Sequence, residues 1–192
     1  MTANLILHIA LKHFAKEGYE GASLNNIASE AGIKKPSIYA HYKGKDDLFL
    51  SAMKHSLVTQ RVHLASYFSK TRNDPLERSL KGFFDWFSKE SNENEQLKFI
   101  LRAAYFPPVK LEEEIGELIN PFFDNMQRHL TRLLRERDRR EKILYSSDFP
   151  STALAFLTVS EGTMTELVYN GKDAYEKRLK AVWPIFWRGL IR

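Results

Sequence analysis

At 192 residues with 43% hydrophobic side chains, the chain can build one sizeable core with a small appendage. A net charge of +5 is a mild basic bias, and the lack of cysteine excludes disulfides, thiolate metal sites and thiol catalysis. No run approaches the roughly 18 apolar residues of a membrane span, so a soluble cytoplasmic protein is the expectation.

The first stretch, MTANLILHIALKHFAKEG, has no basic start and is interrupted by His8, Lys12 and His13, so it reads as an amphipathic helix and not a signal peptide. Leu5, Ile6, Ile9, Ala10, His13 and Phe14 form its inner face, and Gly18 ends it. With almost no tail ahead of it, no basic arm is expected to enter a minor groove.

Residues 23–48, SLNNIASEAGIKKPSIYAHYKGKDDL, spell two short helices around a tight turn, then the entry to a third. Leu24, Ile27, Ala28, Ala31, Ile33 and Ile38 recur at helical spacing and would close a small core. Asn25, Asn26, Lys34, Lys35, Ser37, His41, Lys43 and Lys45 fall between them and face outward. One face for the fold and one for phosphates and base edges is the plan of a helix-turn-helix reader of DNA. Ser23 suits the N-cap of the first helix, and Gly32 suits its left-handed end. Pro36 fits the first turn of a second helix starting near Lys35. Residues 1–50 hold six lysines against five acids, yet Lys34 to Lys45 holds four lysines and no acid. Elsewhere such a run would be a solvated face; inside this pattern it predicts salt-sensitive phosphate contact.

Residues 5–50 resemble the DNA-binding domain of the TetR family of bacterial transcriptional regulators. The resemblance rests on FAKEG from Phe14 to Gly18, IASEAG from Ile27 to Gly32, and IYAHYKGK from Ile38 to Lys45, followed by Asp46, Asp47 and Leu48. Three positions depart from the common form: Lys34 stands for a Ser, Pro36 for a Gly and Tyr42 for a Phe. By position, the resemblance implies that Ser23 and Lys45 hold phosphates. Lys35, Pro36, Ser37 and Tyr39 would lie at the major groove, with Lys34 beside them. His41 would approach the backbone, while Tyr42 would turn its ring inward with its hydroxyl toward a phosphate.

The rest reads as helices. A long fourth helix begins near Gly44 and runs to about Phe68; a fifth starts with the cap Asp74, Pro75 and Glu77 and runs to about Lys89. A sixth spans Asn92 to Ala104, before Pro107 and Pro108. A seventh spans about Val109 to Arg139, with Pro121 kinking or splitting it. An eighth starts near Asp148, and a ninth near Asp173 after Asn170 and Gly171, with Pro184 kinking it. The expected fold is all-α with about nine helices: a helix-turn-helix DNA-binding domain over 1–45 and a ligand-binding and dimerisation domain over 46–192.

Aromatic residues crowd the middle helices. Phe83, Phe84, Trp86 and Phe87 cover more than one helix face, an excess that suits either ordinary core or a pocket. The TetR resemblance implies an inducer pocket among these helices, for which Phe83, Trp86, Phe87, Phe99, Tyr105, Phe123 and Met126 are candidates. Phe156, Leu157, Ser160 and Met164, with Trp183, Phe186 and Trp187, form two stripes expected to build a homodimer interface.

Other chemistry dissolves. The six histidines lack metal-ligand spacing, and there is no phosphate-binding glycine loop, nucleophile elbow or acid–base pair, so no enzyme activity, metal or cofactor is expected. Glu161 and Glu166 read as solvated or paired acids, and the basic run Arg128 to Lys142 as a solvated helix end. The expected protein is a homodimeric DNA-binding repressor, released from a palindromic operator by a small apolar or aromatic inducer, with no membrane contact. The alternative is a DNA-binding protein without an inducer, architectural or partner-recruited.

Overall fold

The local signals that write the helices are visible in the computed structural model, which describes residues 3–192. Among the described residues there are seven α-helices, two 3-10 turns and no strand beyond an isolated bridge of Leu144 with Ile191. The helices are α1 (Ala3–Gly21), α2 (Leu24–Glu30), α3 (Lys45–Lys70), α4 (Leu76–Glu93), α5 (Glu95–Tyr105), α6 (Glu112–Glu141) and α7 (Phe149–Leu190).

Nine helices were expected, and two differences explain seven. The segment after Gly32 winds only as a 3-10 turn at Lys35–Ser37, with Pro36 in its first turn. The eighth and ninth helices form one run, α7, broken only by the left-handed Gly171 at φ 81. Asn170 donates to Glu166 at 2.9 Å, and Arg178 pairs with the same carboxylate, so Glu166 staples the two halves across the break. Neither Pro121 in α6 nor Pro184 in α7 ends its helix.

Packing groups the chain into two units, residues 1–66 with 90–122, and residues 67–89 with 123–192. In the first, α1 packs on α5 through rings: Phe99 lies 6.0 Å from Phe14 and 5.0 Å from Phe49, centroid to centroid. Gly18 has φ +75 and lets the backbone of α1 pass beside Arg102, whose guanidinium donates to the Lys16 carbonyl at 3.2 Å. His63 binds Glu90 at 2.6 Å, and Asn94 caps α5 by accepting from Gln96 at 2.9 Å and Leu97 at 3.3 Å.

In the second unit, Phe83 is the hub of a ring cluster with Tyr67, Phe68, Phe84, Phe87 and Phe156. Tyr175 donates to the Phe84 carbonyl at 2.7 Å, and burial pushes its phenol up. Arg137 is 4% exposed and closes the turn between α3 and α4 by donating to the carbonyls of Thr71, at 2.6 Å, and Asp74. Its neighbour Glu141 accepts from the Leu76 N–H at 3.2 Å. α4 therefore starts at Leu76, with its first donor met by α6.

Candidate DNA-binding interface

The reader is built as its periodicity demands. Ile27, Ala28, Ala31, Ile38 and Leu48 are buried, and Leu24 and Tyr42 are each 9% exposed. Ile33, assigned to that core from the sequence, is only half-buried. Ser23 caps α2 by accepting from the Asn25 N–H at 3.2 Å. Gly32 takes φ +67, so the Ile33 N–H returns to the Ala28 carbonyl at 2.9 Å and closes the helix end. His13 braces α1 to α2 from between Glu17 at 3.2 Å and Glu30 at 2.8 Å.

Beyond Gly32 the backbone rises as a turn. Lys34, Lys35, Pro36, Ser37, Tyr39 and His41 are all exposed on it, with Tyr39 at 51%. Ile38 anchors this turn from below, fully buried, and its carbonyl accepts from both His41 at 2.9 Å and Tyr42 at 3.0 Å. One buried aliphatic residue thus aims six polar or ring-bearing neighbours outward.

Two expected phosphate contacts are otherwise engaged. The Tyr42 hydroxyl donates to the Ala3 carbonyl at 3.0 Å, tying the recognition turn to the start of α1 and not to a phosphate. Lys45 donates to the Glu20 carbonyl at 3.3 Å, and its ammonium stands 4.4 Å from the centre of the Tyr19 ring. A phosphate would have to draw it from that seat.

The same ring organises a cluster not foreseen from the sequence. Tyr19 donates to Asp46, and Lys110, on the 3-10 turn Val109–Leu111, reaches the same carboxylate oxygen at 2.8 Å. Lys110 also lies 4.8 Å from the Tyr19 ring. Lys110 and Tyr19 together hold the Asp46 carboxyl below its usual range. The sequence marks Asp46 only as a first-turn acid, and nothing near Lys110 signals a partner so far back along the chain.

The other predicted sets are placed differently. Phe99, proposed for the inducer pocket, is 1% exposed and fills the core between α1 and α5. Tyr105 shares its unit, whereas Phe83, Trp86, Phe87, Phe123 and Met126 belong to the other. Phe83 and Phe87 are buried in the ring cluster; Trp86, Tyr105, Phe123 and Met126 are half-buried. An open cleft of about 690 Å³ lined by Tyr145, Arg188, Gly189, Ile191 and Arg192 shares no residue with that set.

The interface stripe also needs correction. Phe156, Leu157, Ser160, Met164 and Trp183 are buried within the single chain, so they are core and not a surface open to a partner. Phe186 and Trp187 are half-buried, with Trp187 stacked on Trp183 at 5.9 Å. The outward face of α7 instead carries Leu154, Thr158, Gly162, Val168 and Ile185.

Residues 6–52 match the family model described as bacterial regulatory proteins, tetR family. Residues 6–52 are therefore a TetR-type DNA-binding domain. An HTH-type transcriptional repressor of Streptomyces coelicolor is 25% identical over 177 residues, covering 88% of this chain and 84% of its own. The HTH-type regulator YezE of Bacillus subtilis is 49% identical over 53 residues, 28% of this chain and 27% of the relative. The chain spans between 17% and 40% of the length of four curated relatives that it matches. The solved structure of the regulator FadR from Bacillus subtilis, in complex with stearoyl-CoA, is similar in fold: TM-score 0.70 at 17% identity, covering 98% of this chain and all of that one. The exposed turn at Lys34–His41 lies inside the matched residues 6–52. Among the described residues no acid–histidine cluster could hold a metal, and no helix is long and apolar enough to cross a membrane.

Proposed function

We propose that this protein is a homodimeric transcriptional repressor that reads a palindromic operator through residues 1–45 and is released by a small apolar or aromatic ligand bound within residues 46–192. The observation that carries the reading is the exposed set Lys34, Lys35, Pro36, Ser37, Tyr39 and His41, raised on buried Ile38. Lys35 is placed to donate to guanine O6 and N7, while Pro36 and Ser37 suit a thymine methyl. Ser23 and His41 hold the backbone, and Lys45 joins them on leaving Tyr19.

Pairing through the outward face of α7 supports the dimer: Leu154, Thr158 and Gly162 repeat every fourth residue, with exposed Ile185 on the second half. Repression is supported by the Streptomyces relative's name, and a long apolar body in the ligand by the stearoyl chain of the stearoyl-CoA bound to the Bacillus protein. A ligand that weakens operator binding a hundredfold must favour the unfit conformation by about 2.7 kcal/mol. Because α3 starts at Lys45 beside the reader and continues to Lys70, it is the natural lever. A second reading, regulation without an inducer, is favoured by the dense ring packing around Phe83.

Selection of genomic fragments by the purified protein tests the reading, repeated with and without metabolite extract. Enriched fragments should share an inverted repeat, bind more weakly as salt rises, and be lost on Lys34→Ala/Lys35→Ala substitution. Recovery of fragments with no common sequence would overturn specific operator reading, and extract without effect on a recovered operator would favour the inducer-free alternative.

A further inference from the structure

Two polar groups on α3 stand out because everything like them elsewhere is satisfied. Ser56 is fully buried and Gln60 is 2% exposed, yet Ser56 Oγ and Gln60 Oε1 have no hydrogen-bond partner. Among the described residues these are the two buried side-chain atoms left unpaired. The other buried hydroxyls on α7 show the ordinary solution: Ser160 donates to the Phe156 carbonyl at 2.8 Å, Thr163 to Val159 at 2.9 Å and Thr152 to Asp148 at 2.8 Å. Ser56 does not turn back in this way. A buried donor or acceptor without a partner forfeits its hydration and gains nothing in return.

Their placement is specific. They lie four residues apart, one turn along a single face of α3. On that face Phe49, Ala52, Met53 and Leu57 are also buried, so both occupy positions where helical periodicity calls for apolar side chains. Fully buried charge is absent from their unit among the described residues, since the one such side chain, Arg137, belongs to the other. The titratable side chain one turn beyond Gln60, His63, is already engaged by Glu90 at 2.6 Å, so an ion brought to this pair would find no free buried counter-charge, and burial of an unpaired charge is costly. A neutral group faces no such penalty. Gln60 offers an amide that can accept or donate according to its orientation, and Ser56 a hydroxyl that can do either.

We infer that Ser56 and Gln60 are the polar end of a binding site for an uncharged ligand, an apolar or flat body carrying one hydroxyl or amide. This assignment rests on the ligand-released reading above and gives its ligand a chemical class. It also supplies a route: Ser56 and Gln60 lie about 16 and 22 Å along α3 from Lys45. Hydrogen bonds made at this pair act on the helix whose first turn holds the reader. An ordered water bridging the two groups is the competing occupant.

The test uses the full-length protein stripped of bound molecules, with two matched pairs of probes: 1-decanol against decanoate, and 2-naphthol against 2-naphthoate. In at least one pair the neutral member should bind about tenfold more tightly than its anion. Ser56→Ala/Gln60→Leu should abolish that preference and raise the unfolding midpoint of the ligand-free protein, because two unpaired groups are removed. The assignment is overturned if the anions bind as well, if neither neutral probe binds, or if the double substitution lowers the ligand-free midpoint, as loss of a structural water would. Operator binding, followed in the same samples, separates the two readings. A neutral probe that binds through the pair yet leaves the operator bound keeps the site and sinks the inducer model.

Discussion

Lys110 Nζ lies 2.8 Å from the Asp46 carboxylate that Tyr19 also grips, so a residue at the approach to α6 holds the first turn of α3 against α1. Lys45 rests on the other contact of the same ring. The cluster makes the seat of a predicted phosphate ligand depend on a side chain outside the helix-turn-helix. Because Lys110 and Asp46 are each about half exposed, the ion pair is a modest positioning device and not a large source of stability.

Lys110→Met should therefore weaken operator binding by only about two- to fivefold, the scale of an exposed pair. The dependence of log K on log salt should keep its slope, since Lys110 holds Asp46 and not a phosphate. Lys34→Ala should instead lower that slope by about one. Fluorescence anisotropy over a salt series distinguishes the two, and Lys110→Arg should restore most of the loss.

The same pair gives a pH signature. Lys110 first, then Tyr19, keeps Asp46 ionised below its ordinary range, while Asp46 and then Tyr19 raise the Lys110 ammonium. The Asp46 contribution is complete above the free carboxylate value of about 3.9 and is lost as pH falls through the lower folded value. The Lys110 contribution is complete below about 10.4 and fades only in stronger alkali. Wild-type protein should thus exceed Asp46→Asn in Tm at neutral pH, with the gap closing in acid below about pH 4. A gap that stayed constant through the acid limb would show that the carboxylate is not what the cluster uses.

Gly18→Ala should destabilise through two effects at one position. Its φ of +75 is unfavourable for an L side chain, and a Cβ would lie 2.9 Å from Arg102 Nε. The guanidinium can swing away only by giving up its bond to Lys16. The conformational part costs about 1–2 kcal/mol, which for a chain of this size is a fall of about 2–8 °C in Tm. Calorimetry of Gly18→Ala with Arg102→Ala should recover the contact part and leave the conformational part.

Arg137→Met should cost about 2–4 kcal/mol, because it strands the carbonyls of Thr71 and Asp74 and leaves Glu141 without its neighbour. Denaturant unfolding should show the midpoint fall, and Arg137→Lys should rescue less than half, since an ammonium cannot span the same fork.

Local physics made much of this protein readable from its residues alone. The cap at Ser23, the left-handed Gly32, the start of α3 beside Lys45 and the helical identity of nearly every segment depend on neighbours within a few positions, and there the periodic pattern and the structure agree. The exposure of the turn at Lys34–His41 followed for the same reason, since burying Ile38 leaves its neighbours only one side to face. Four things needed the tertiary structure. Which stripe of α7 faces the core was decided by Phe83 and Phe84, whose rings claim Phe156 and, at 5.8 Å, Trp183, leaving Leu154 and Ile185 outside. Phe99 became core because Phe14 and Phe49 meet it across two other helices. The bond from Lys110 to Asp46 and the stranded pair Ser56 and Gln60 arise from what folding brings near, or fails to bring near, a side chain. An amphipathic pattern states how much of a helix is buried; only the packed neighbours state against what.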